Sequence, residues 1–125
     1  MRKKHIIFTP NAPAPIGPYS QAVKINSLVF VSGQIAADLA EAKAGVRAEA
    51  RQVMVNIGEI LSASGLNYHN IVKTSIFLKD MNDFAQINEV YGEFFTGDYP
   101  ARETVQVSRL PKDVSVEISV IAIED

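Results

Sequence analysis

Glu117 lies inside Val114-Ser115-Val116-Glu117-Ile118-Ser119-Val120-Ile121, a stretch whose other members suit a buried strand. A carboxylate drawn out of water is costly unless paired, and its pKa rises toward the range useful for proton transfer. The plainer reading is a solvated position on an edge strand, which spacing alone favours. Arg102 stands behind Pro100-Ala101 at a strand mouth, where its planar, permanently charged fork suits a carboxylate held by two parallel hydrogen bonds. An ordinary surface ion pair is the competing use. Arg109 leads into the turn Leu110-Pro111-Lys112-Asp113, where solvent or Asp113 would take its charge. Tyr19 offers a phenol as donor or proton carrier, or else packs as a core or interface tyrosine. Asn88 shares a helix face with Phe84 and Tyr91, so its amide reaches the packed side, with a structural hydrogen bond the simpler duty. Ser32-Gly33 ends an apolar strand, where glycine permits a ligand to approach the backbone or simply makes a turn.

The elements that must position these groups follow from pattern. Pro10, Pro13, Pro15 and Pro18 make a stiff, extended segment before Tyr19, because each proline fixes φ and removes a donor. Gln21 to Asn26 and Leu28 to Ser32 read as two short strands. Residues 36–45 carry no decisive period. From Val46 the apolar residues Ala50, Val53, Met54, Ile57, Ile60 and Leu61 recur at helical steps, and Gly65 marks the stop. Ile71 to Lys79 alternates as a strand. Asn82 is expected to cap a second helix that buries Phe84, Ile87, Tyr91, Phe94 and Phe95 and ends at Gly97 and Pro100. Glu103 to Val107 and Val114 to Ile123 close the chain as strands. The order predicts an α+β layer, a mixed sheet with two helices packed on one face. In the final strand Val114, Val116, Ile118, Val120 and Ala122 face one way. Ile121 and Ile123 leave the second face apolar, which predicts an oligomer.

Composition removes whole classes of function. The chain has 125 residues, no cysteine, and 12 Lys+Arg against 14 Asp+Glu for a net charge of −2. That is one domain, residues 1–125, with an adequate core and no thiol nucleophile, cysteine metal site or disulfide. The charge gives no case for nucleic acid as a partner. His5 and His69 stand alone, and no glycine-rich phosphate loop occurs. No stretch is long enough to span a bilayer, so a soluble, cytoplasmic protein with no membrane partner is expected.

The motifs together resemble one family. They are Asn11-Ala12-Pro13, Ile16-Gly17-Pro18-Tyr19-Ser20-Gln21-Ala22, Ser32-Gly33-Gln34-Ile35, Val72-Lys73-Thr74 and Leu78-Lys79-Asp80-Met81-Asn82-Asp83-Phe84. Asn88 through Tyr91 to Phe94-Phe95, Pro100-Ala101-Arg102, and Arg109-Leu110-Pro111-Lys112-Asp113 through Val116-Glu117-Ile118 to Ile121-Ala122 complete the set. In this order they are similar to the Rid family, the reactive intermediate deaminases also called YjgF or L-PSP proteins.

The resemblance implies a chorismate-mutase-like fold assembled as a homotrimer with clefts between subunits. For the RidA branch it implies hydrolysis of 2-imino and 2-enamino acids to 2-keto acids and ammonia, with no metal or organic cofactor. Arg102 then matches the arginine that clamps the substrate carboxylate, Glu117 the carboxylate that orients or deprotonates water, and Tyr19 a hydrogen-bond donor. Ser32, Gly33 and Asn88 would line the cleft, as would Thr104, which stands where many relatives carry cysteine. The segment between Gln34 and Val46 is also short and lacks the usual Pro-rich turn. A non-catalytic binder of small carboxylates and an endoribonuclease or translation inhibitor are the alternatives.

Overall fold

The computed structural model describes residues 3–125, with six strands in one sheet of order β1-β2-β3-β6-β4-β5. The strands are β1 (His5–Ile7), β2 (Ala22–Ile25), β3 (Leu28–Gln34), β4 (Ile71–Leu78), β5 (Ala101–Gln106) and β6 (Val116–Ile123). Only β4 and β5 run parallel, and the helix that must cross between them is α3 (Phe84–Gly92). A short α1 (Ala37–Glu41) occupies the segment whose pattern was undecided, and α2 (Val46–Ser62) follows it.

The apolar stripe of α2 explains its position. Val53, Met54, Ile57, Ile60 and Leu61 are fully buried, against a sheet face built from Val29, Ile76, Leu78, Ile118 and Ala122. Removing side chains of this size from water is worth roughly 1.5–3 kcal/mol each, which fixes the helix to that face. Gly65 stops the run as expected. Its φ of +76° lets the Leu66 N–H reach the Leu61 carbonyl at 2.9 Å while the Gly65 N–H bonds to Ser62.

The second helix differs from expectation at both ends. Asn82 is not its cap; Asp80 accepts the Asn82 N–H at 2.9 Å and begins a 3₁₀ turn, Met81–Asp83, that runs into α3. The helix ends at Gly92, before Phe94 and Phe95, which continue in single turns and are only partly buried. Ile87 and Tyr91 are buried as expected, whereas Phe84 remains 39% exposed at the first turn.

Strand register then sorts every side chain onto one of two faces. Thr74 lies opposite Val120, Ile76 opposite Ile118, and Leu78 opposite Val116, all beneath the helices. The other face carries Phe30 opposite Ile121, Leu28 opposite Ile123, and Phe77 opposite Glu117. Among the described residues no helix covers it, and Phe30, Val105 and Ile123 stay about two-fifths exposed there. The alternation expected of the final strand therefore holds residue by residue.

The proline segment is fastened from outside. Prolines leave it short of donors, so buried Gln21 supplies the missing partners. Its Oε1 accepts the Thr9 N–H at 2.8 Å, and its Nε2 donates to the Pro13 carbonyl at 2.9 Å. Tyr19 is thereby carried to one end of the sheet. No helix among the described residues is long and apolar enough to cross a membrane.

A candidate active site divided between two faces of the sheet

Arg102 is on β5 opposite Thr74, so it points to the helix-covered face. There Nη2 donates to Asn88 Oδ1 at 2.8 Å, and the guanidinium lies 5.1 Å from the Tyr91 ring centre and 5.8 Å from that of Phe84. Tyr91 is itself anchored, its hydroxyl donating to the buried Thr74 Oγ1 at 2.9 Å. Burial raises the Tyr91 pKa, with the Thr74 hydrogen bond and the Arg102 charge opposing that rise. The phenol is neutral at ordinary pH and acts as a fixed wall. Arg102 makes no ion pair among the described residues. It fronts a pocket of about 330 Å³ with Asn88, Tyr99 and Pro100. A fork positioned by one amide and two rings, with donors to spare, is built to receive an anion.

Glu117 occupies the opposite face. It is partly buried on β6, beside Phe77 of β4, and accepts no hydrogen bond from the described residues. Burial raises its pKa above the ordinary glutamate range. Its carboxyl presses on Gly33, where β3 bulges out of register between Val31 and Gln34. A Cβ added at Gly33 would lie 2.8 Å from the carboxyl carbon, so only glycine leaves the carboxylate its present place. A poised carboxylate against bare backbone is a means of holding water and moving its proton.

The remaining expected residues divide between these halves or fall outside them. Asn88 joins Arg102. Ser32 adjoins Gly33 but is committed, its hydroxyl donating to the Ser20 carbonyl at 2.6 Å. Tyr19 is 47% exposed and its oxygen accepts the Ile16 N–H at 3.1 Å, which leaves its own proton free to donate. Thr104 shares the face of Arg102, and its buried hydroxyl has no partner among the described residues. Arg109 is exposed, and Asp113 pairs instead with Lys79 at 3.0 Å. The resemblance implied one site for Arg102 and Glu117, in a cleft between subunits. Within a chain they face away from each other, two strands apart. Tyr91 was expected only as core, and its support of Arg102 had no signal beyond its helical spacing from Asn88.

The chain is thus an α+β sheet with an unpaired arginine fork on one face and an unpartnered carboxylate on the other. The sequence family described as Endoribonuclease L-PSP matches residues 9–124, and the chain belongs to that family, the RidA/YjgF group of proteins. It is 50% identical over 125 residues to a RutC family protein of Pyrococcus horikoshii, covering 98% of this chain and 99% of that one. It is 45% identical to the 2-iminobutanoate/2-iminopropanoate deaminase of Mus musculus, covering 97% and 92% respectively. Among solved structures, E. coli TdcF with bound serine matches with a TM-score of 0.90 and 47% identity, over 97% of this chain and 99% of that one.

Proposed function

We propose that the protein hydrolyses reactive 2-imino acids, formed from 2-aminoacrylate or 2-aminocrotonate, to 2-keto acids and ammonia. The reaction would occur in clefts between subunits of a homotrimer. The observation that carries this reading is the unpartnered Glu117 carboxylate seated on Gly33, matched by an arginine fork that the same chain turns away from it. A cleft in which Arg102 of one subunit meets Glu117, Gly33 and Tyr19 of another resolves that separation. The uncovered apolar face supplies the contact such an assembly needs. The deaminase name of relatives at about 45% identity supports the chemistry, and a related protein seen with bound serine supports the carboxylate clamp.

Each step balances on residues of the chain. Arg102 holds the substrate carboxylate through two N–H groups, which places C2 of the imine against Gly33. Water attacks C2, passing a proton to Glu117, and the C=N bond becomes a single bond on a tetrahedral carbon. Glu117 returns that proton to the nitrogen, giving a neutral carbinolamine. Its hydroxyl proton then passes by way of Glu117 or Tyr19 to the amino group, so the C–N bond breaks, the oxygen closes the keto carbonyl and ammonia leaves. The imine carbon is already electrophilic, so positioning and proton transfer suffice.

Ribonuclease activity, named in the family's description, has less support, because the chain carries a net charge of −2 with no basic stripe. The test is ammonia release from enzymatically generated 2-aminoacrylate. The protein should accelerate release well beyond the spontaneous rate. Binding of pyruvate without acceleration would replace this reading with a non-catalytic carboxylate binder.

A further inference from the structure

A second cavity, larger than the one at Arg102, lies under the proline segment and against α1 and α2, with a volume of about 580 Å³. Glu117 is not among its walls, although Tyr19 and Gly33 are, so it adjoins the proposed cleft. Most of the lining is apolar, from residues such as Ala12, Pro13, Ile16 and Leu39. A cavity of this size lies within the range that holds small ligands.

The lining also carries three carboxamides, those of Gln34, Gln52 and Asn56, the last two hydrogen-bonded to each other. Gln34 and Asn56 are only 6% and 3% exposed, and both line the cavity. Each is half used. The Gln34 amide donates to the Ser32 carbonyl at 3.2 Å, and Asn56 Oδ1 accepts from Gln52 at 2.9 Å. Among the described residues, the Gln34 carbonyl oxygen and the Asn56 amide nitrogen have no partner. Gln21, also at this cavity, is the contrast: both ends of its amide are consumed in pinning the proline segment, which marks a structural duty. Neither atom is sealed off, and a donor and an acceptor open to one cavity suit a molecule that offers both. Charge is not part of the demand. The charged residues of the lining are the exposed Asp38 and Lys112, of opposite sign.

We propose that this cavity binds a small uncharged molecule presenting a carboxamide-type edge, a donor beside an acceptor on an apolar body, as in a lactam or primary amide. The acceptor of the ligand would take the Asn56 amide proton and its N–H would donate to Gln34. The apolar body would lie against the alanine and proline walls.

The test titrates the intact protein with 2-piperidone, cyclohexanone and pentanoate, followed by calorimetry and by the side-chain amide resonances of Gln34, Gln52 and Asn56. The lactam should bind saturably and shift those resonances. Cyclohexanone keeps the carbonyl but lacks the N–H, and should bind about tenfold more weakly or worse. Pentanoate should bind weakest at these resonances, because the exposed Lys112, opposed by Asp38, does little to offset its desolvation. Ala14→Trp, at an exposed lining position, should abolish lactam binding by filling the mouth without disturbing the core, and Asn56→Leu should weaken it. No saturable lactam binding at millimolar concentration would overturn the proposal, the cavity then holding solvent only. Equal affinity for the ketone, or lactam binding undiminished in Ala14→Trp, would overturn it as well.

Discussion

Arg102 and Glu117 sit two strands apart in one sheet, and the chain treats them in opposite ways. Arg102 is finished: Asn88 sets its hydrogen bond, Tyr91 and Phe84 flank its plane, and Thr74 fixes Tyr91 in turn. Glu117 is bare. It has no donor among the described residues, a glycine where a side chain would otherwise stand, and a pKa raised by desolvation. The helix-covered face fixes a charged fork using this chain alone, while the uncovered face holds a carboxylate that no described residue partners. On the proposed function, binding rests on the first side and reactivity on the second.

The largest expected effect tests whether the two halves complete each other across subunits. Arg102→Ala should reduce deamination and keto-acid affinity roughly thirty- to several-thousand-fold, the cost of about 2–5 kcal/mol for stripping one partner from a shielded charged pair. Arg102→Lys should recover little, since the point charge lacks the fork. Arg109→Ala should keep the parent rate, because Arg109 is solvent-exposed. Glu117→Gln should also lose turnover while still binding pyruvate. Refolded together in equal amounts, Arg102→Ala and Glu117→Gln subunits should regain activity. Random mixing around a three-fold ring restores an intact pair at about a quarter of the interfaces. A mixture as inactive as its parents would place both groups in one subunit's site and break the comparison.

Gly33→Ala sharpens the contrast from the side of Glu117. The added methyl cannot coexist with the present carboxyl position, and the flexible end of Glu117 would swing away while the strand stays paired. A displacement near 1 Å at a reacting group costs on the order of 10²-fold in rate. Steady-state kinetics should therefore show that fall in kcat, with pyruvate affinity close to the parent because Arg102 is untouched. Equal losses in both would mean that the bulge at Gly33 also supports the clamp.

What the sequence revealed of this arrangement follows the reach of each signal. The α2 stripe and Gly65 are local periodic features, and both were legible to within a few residues. Alternation in the final strand assigned Glu117 to the face opposite Val116 and Ile118, as observed. The start of α3 was misplaced because Asp80 and Asn82 are both good capping residues, and only the folded backbone shows which one receives an N–H. Strand pairing was beyond reach altogether. Periodicity ranks faces within a strand but carries no register between strands, so it could not tell that Arg102 and Glu117 look in opposite directions. The three carboxamides of the second cavity come from β3 and from one face of α2, and that juxtaposition also needs the tertiary fold.

A smaller effect should come from the finished side. Tyr91→Phe keeps the ring beside Arg102 but leaves the fully buried Thr74 hydroxyl without its donor. An unsatisfied group of this kind costs about 1–3 kcal/mol, to be read from denaturant unfolding. Activity should fall far less than in Gly33→Ala, because the ring, Asn88 and the fork all remain. A collapse of keto-acid binding would show instead that the phenol hydroxyl is needed to keep Arg102 in place.

The smallest effect carries the most direct information on what surrounds Glu117, and it is a matter of sign. Burial places the folded-state pKa above the ordinary glutamate value, so within that window the folded protein binds more protons than the unfolded chain. Stability then falls as pH rises through the window, and the loss is complete above the raised pKa. Glu117→Gln removes the titrating group. The variant should melt slightly higher than the parent at neutral pH, and the advantage should disappear once the pH drops below the ordinary glutamate range. A gain that persists in acid would come from packing rather than charge. A variant that melts lower than the parent at neutral pH would mean that a cation stands beside the carboxylate in the assembled protein. The raised pKa would then belong to the isolated chain, and Arg102 of a neighbouring subunit would be the first cation to substitute in a double-mutant cycle.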